Sequence, residues 1–65
     1  SAKEREQLER LMNETIAMLS FGTPQKFETQ RLVWKQMVGK AMLTRREAFA
    51  LFGFFRKAKH ALQRK

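Results

Sequence analysis

The chain contains no cysteine, tyrosine or aspartate, and His60 is its only histidine. Without cysteine there is no disulfide and no thiol nucleophile. A zinc site draws about four ligands mostly from Cys and His and would find one candidate here. Aspartate-based catalytic and cation sites are excluded on the same ground. All six acids are glutamate, and Glu4, Glu6, Glu9 and Glu14 are interleaved with Lys and Arg, the pattern of a solvated helix face. Gly22, Gly39 and Gly53 stand alone, so no glycine-rich phosphate loop is present. The expectation is a protein that is not an enzyme and uses no metal or cofactor.

Long hydrophobic runs are missing too. The longest spans residues 48–55, eight positions counting Gly53, whereas a membrane span needs about 20. A membrane partner is therefore not expected. No basic segment followed by an apolar stretch opens the chain, as a secretory leader would require. The lack of cysteine suits a reducing compartment, so an intracellular, cytoplasmic setting is expected. The chain opens on Ser1 rather than Met, which fits a segment of a longer parent.

Sixty-five residues suffice for one domain, and a chain this short buries only about 60% of the surface it exposes when unfolded. Disulfides and metals are closed to it as staples. Packed helices, with self-association as an additional support, remain.

The hydrophobic pattern supplies three such helices. Leu8, Leu11, Met12, Thr15, Ile16 and Leu19 recur at spacings of three and four, which predicts an amphipathic helix over about residues 2–20, with Gly22 as its C-terminal stop. Thr23 and Pro24 form an N-cap and first-turn pair. Behind them Phe27, Gln30, Trp34, Met37, Val38 and Ala41 share one arc of a second helix over about residues 24–41. Thr44-Arg45-Arg46-Glu47 has the form of a capping box, with Leu43 and Ala48 placed as a hydrophobic staple. The third helix, about residues 45–63, turns Ala48, Leu51, Phe52, Phe55, Ala58 and Leu62 inward. Trp34 and the methionines Met12, Met18, Met37 and Met42 read as core filling. Short connections between neighbouring helices predict an all-α fold: one domain over residues 1–65, a small three-helix bundle, with a dimer as an option.

Charge carries the functional signal. The net charge is +8, unevenly spread. Residues 1–22 hold three cations against four glutamates, while residues 23–65 hold eleven against two, giving −1 and +9. Asymmetry of this kind points to a polyanion or to an acidic protein surface. At about 100° per residue, one stripe of the third helix collects Arg46, Phe49, Gly53, Arg56, Lys57, His60 and Arg64, with Arg45 on its flank. Lys59 falls at the edge of the apolar arc, where its stem can pack while its ammonium reaches water.

Each of these residues has an ordinary reading beside the functional one. A basic helix face is often plain solvated surface. Phe49 is either a core-edge residue or a platform on which an unpaired base stacks. Gly53 either admits a neighbouring helix or lets a nucleic-acid backbone or base approach. His60 is either incidental or an extra charge at low pH. On the second helix, Lys35 and Arg31 occupy one flank and Lys26 and Lys40 the other. Leu32 and Val33 fall outside the apolar arc and, with Phe54, are candidates for a protein interface. The leading expectation is a module that binds DNA or RNA through the basic face of the third helix. No side-chain set resembles a base-reading code, so backbone contacts should dominate. The alternative is an interaction or oligomerisation module, as a homodimer or docked on an acidic protein partner.

Overall fold

A computed structural model describes residues 2–64; Ser1 and Lys65, inside the single expected domain, lie outside the described residues. Three α-helices follow one another: α1 (Ala2–Ala17), α2 (Pro24–Lys40) and α3 (Arg45–Gln63). They pack as a small all-α three-helix bundle in which α1 touches both other helices. The backbones of α2 and α3 stay apart among the described residues. Those two helices meet through side chains, the Trp34 and Phe55 rings lying perpendicular with centroids 5.5 Å apart. None of the three helices is long and apolar enough to cross a membrane.

Local chemistry sets the helix ends. Thr23 accepts a hydrogen bond from the Lys26 amide at 3.1 Å and Pro24 opens α2, so the cap and the preset φ act together. At α3 the Thr44 hydroxyl accepts from the Glu47 amide at 3.1 Å, and the Thr44 amide donates to Glu47 Oε1 at 2.9 Å. The capping box read from the sequence is therefore formed, and α3 covers the predicted span.

Helix α1 ends at Ala17 rather than near residue 20. Its last turn tightens, with the Met18 and Leu19 amides donating to the carbonyls of Thr15 and Ile16, both at 3.0 Å; these i to i−3 bonds satisfy carbonyls that a longer helix would have used. Gly22 is consequently no direct helix stop. It sits five residues beyond α1 at φ +91°, a left-handed turn that brings Phe21 back to within 6.4 Å of Phe27 and staples the start of α2.

Leu8, Met12, Val38 and Phe55 form the buried cluster, and Leu11, Trp34, Leu43, Leu51 and Phe52 pack against it. Thr15 is also buried. Its hydroxyl donates to the Leu11 carbonyl at 2.8 Å and lies 3.4 Å from the Phe55 carbonyl on α3, so a polar group on the inner face of α1 remains satisfied. All six inward residues expected on α3 are buried or half-buried.

The expected core of α2 needs correction. Phe27, Arg31, Trp34, Val38 and Ala41 are its covered residues, while Gln30 and Met37 lie exposed. The covered arc is thus rotated by a fraction of a turn, because α2 packs on α1 alone along its backbone. Arg31 can occupy the half-covered position because its guanidinium is engaged by Glu28, at 2.8 and 2.9 Å. Of the four methionines expected inside, only Met12 is; Met18 and Met37 are exposed and Met42, in the link before α3, is 97% exposed. Leu19 is likewise uncovered, since it lies beyond the end of α1.

Candidate nucleic-acid interface

The capping box fixes where α3 begins and therefore the direction in which each later residue points. Glu47 is the only acid on α3, and its carboxylate is occupied by the Thr44 amide. Everything charged further along the helix is cationic or the titratable His60.

Gly53, Arg56, Lys57, His60, Ala61 and Arg64 line one shallow groove on the outer side of α3. Five of the expected stripe residues are thereby brought together, and Ala61 joins them as an uncharged wall. Arg46 lies seven residues before Gly53, two turns along the same line. The row from Arg46 to Arg64 covers about 27 Å at 1.5 Å per residue.

The glutamates of α1 do not neutralise this row. The cross-helix ion pair runs instead from Lys59 Nζ, which donates to Glu14 Oε1 at 2.8 Å. That hydrogen bond, and then the lysine charge, hold the Glu14 carboxyl below its ordinary range. On α2, the hydrogen bond and charge of Arg31 lower Glu28 in the same way. Among the described residues, none of Arg46, Arg56, Lys57 and Arg64 has a carboxylate at ion-pair distance.

Arg45 and Phe49 occupy a different place from the groove. Both line a small cavity between α1 and α3, with Glu4, Gln7, Leu8, Ala48 and Phe52. Arg45 thus turns toward the acidic N-terminal part of α1. Phe49 stands at the cavity mouth and is 69% exposed, too open for a core-edge residue. Gly53 admits no neighbouring helix, because a Cβ added there would meet nothing within 4 Å. Leu32, Val33 and Phe54, the candidate protein contacts, are all exposed, but Leu32 and Val33 lie about 100° apart on α2 and do not share one face.

The sequence reading missed two features of the site. The Glu28–Arg31 pair was legible from its spacing of three, which places the two side chains as neighbours on a helix. The Glu14–Lys59 pair, 45 positions apart, had no local signal. Compared with family models, with curated proteins and with solved structures, the chain matches none.

Proposed function

We propose that this chain is a nucleic-acid-binding helical module that holds the phosphates of DNA or RNA along the outer side of α3. The observation that carries this reading is the row of Arg46, Arg56, Lys57 and Arg64, four cations without carboxylate partners among the described residues. Cations left unpaired at the surface are available to displace counterions from a phosphate backbone, and counterion release drives such binding. The shallow groove over Gly53 adds access, since no side chain holds a backbone away from the helix at that point. The stripe offers no paired amides beside its arginines, so contacts to phosphate and sugar dominate and sequence discrimination is slight.

The test is a salt titration of binding to labelled DNA and RNA oligonucleotides. Observed affinity should fall linearly with salt on logarithmic axes. Replacing Arg56, Lys57 and Arg64 by Gln should reduce the slope by about 2–3, at roughly 0.7–0.9 per phosphate contact. The same change at Lys26, Lys35 and Lys40 of α2 should reduce it by less than about 1. A wild-type slope near zero, or equal losses from the two triple variants, would refute the assignment to α3.

A further inference from the structure

Phe49 forfeits the stabilisation that burial gives an aromatic side chain. It is 69% exposed, and among the described residues its ring meets no other aromatic ring. Helix geometry sets its position relative to the cations. Gly53, Arg56 and His60 follow it at steps of four, three and four residues, and the four positions lie within about 60° of one another around α3. Position 53 has no side chain, and a Cβ there would meet nothing within 4 Å, so the line between the ring and Arg56 is open. Phe54, the other exposed phenylalanine of α3, lies about 140° away, toward the Ala61 wall of the groove. Its ring is already set edge-on against Phe55 at 5.4 Å.

Away from the groove, Phe49 borders the cavity between α1 and α3, about 200 Å³ in volume. That is smaller than the roughly 300–1,000 Å³ of sites for drug-sized ligands, and it leaves room for one flat group. Leu8 and Phe52 give the cavity apolar walls, and Gln7 stands at its rim. The Gln7 amide makes no hydrogen bond among the described residues, and an amide offers both a donor and an acceptor. The charge of Arg45 acts on the Glu4 carboxylate of the same cavity. The cavity therefore holds one charge of each sign, unlike the row beyond Gly53, where cations stand alone. Phosphate suits the row, and an uncharged flat group suits the ring and the cavity.

We infer that Phe49 is the platform on which one unpaired base stacks, which makes single-stranded DNA or RNA the ligand of the α3 row. This rests on the nucleic-acid reading of that row and adds a choice between strands that phosphate contacts alone do not make. Continuity with the row decides the occupant. A strand whose phosphates lie on Arg56 and Lys57 passes over Gly53 and brings a neighbouring base to the ring, about 10 Å along the helix axis from Arg56. In a duplex the faces of the bases are covered by the adjoining pairs, and only edges and phosphates are offered. Stacking tolerates any base, because every base has a π face, in keeping with slight sequence discrimination.

Three labelled probes of equal length test the platform: a short oligothymidine, the same sugar-phosphate strand without bases, and a duplex. Phe49→Ala should weaken binding to oligothymidine about 5- to 150-fold, the loss of one base–aromatic stack. It should change binding to the abasic strand and to the duplex less than about 2-fold, and leave the salt slope as it was. Phe49→Trp should retain the wild-type affinity for oligothymidine, and Phe54→Ala should leave it unchanged. Should Phe49→Ala lose helicity, Phe49→Leu keeps an apolar side chain at the cavity without a flat ring and gives the same reading. Oligothymidine binding that survives loss of the ring, or equal losses on all three probes, overturns the platform while a persisting salt slope leaves the phosphate row standing. A slope near zero on every probe removes the row itself, and the platform with it.

Discussion

Helices α2 and α3 are close in length, 17 and 19 residues, and each begins on a threonine cap. They nevertheless relate to the rest of the molecule differently. α3 separates its residues into a covered apolar side and a cationic side. α2 mixes Leu32, Val33 and Met37 with Lys26, Lys35 and Lys40 around its exposed surface, and Val38 is its one fully buried residue. The difference teaches that a helix segregates its residues as sharply as its neighbours demand. α3 has α1 along one flank and solvent along another, and both constraints are written into it. α2 has a single backbone neighbour.

The largest test of this contrast is in the core. Phe55→Ala should cost about 3–5 kcal/mol by denaturant titration, the usual loss for a buried aromatic, which is a large share of the stability of any small domain. Met37→Ala on α2 should cost less than about 1 kcal/mol, as exposed positions usually do. Equal costs would mean that α2 is as deeply anchored as α3. Next come the caps. Thr44→Ala removes the bond from the Glu47 amide to the threonine hydroxyl and Thr23→Ala the bond from the Lys26 amide, so each should lower stability by about 1 kcal/mol. Adding Glu47→Ala to Thr44→Ala, which also removes the bond to the Thr44 amide, should roughly double the loss at α3.

The third test has the opposite sign. Gly53 lies mid-helix with no neighbour near its Cα hydrogen, so Gly53→Ala should stabilise the fold by about 0.5–1 kcal/mol. Gly39, next to the last residue of α2, should give a smaller gain. If the alanine at position 53 raises the melting temperature yet weakens oligonucleotide binding, the glycine is there for a ligand; a gain in stability with unchanged binding removes that role. The smallest effect concerns pH. Glu14 is held below its ordinary pKa by Lys59, so the ion pair contributes stability above the unfolded carboxyl pKa and loses it as pH falls through the lower, folded value. Glu14→Gln should flatten that part of the acid limb of a stability–pH curve. The bond being exposed, the change should be slight, and a wild-type curve already flat there would show that the pair contributes nothing.

Legibility followed the same division. The sequence of α3 states its own limits through Thr44 and Glu47, and its period of inward residues was readable because Ala48, Leu51, Phe55, Ala58 and Leu62 recur at spacings of three and four. Arg46, Gly53, Arg56, Lys57, His60 and Arg64 could be placed on one line for that reason. The arc of α2 was misplaced because Gln30 and Met37 fit the spacing as well as Arg31 does. An arginine at a covered position is recognised only after its pairing with Glu28 is allowed for. The end of α1 was overestimated because Leu19 continues the apolar spacing, whereas the last turn tightens through the bonds of the Met18 and Leu19 amides to Thr15 and Ile16. Burial of the methionines could not be read locally, since an unbranched thioether is compatible with either environment. Met18 lies past the end of α1 and Met42 in the link before α3, while Met37 falls outside the covered arc of α2.

The segregation of charge has a consequence for events before any contact. With residues 1–22 at −1 and residues 23–65 at +9, the molecule's charge is unevenly distributed as well as net positive. In the field of a polyanion such a body experiences a torque in addition to attraction. It would arrive already turned, α3 leading and α1 trailing, so that more of its encounters begin in a productive orientation, and added salt would erase that advantage along with the pull itself.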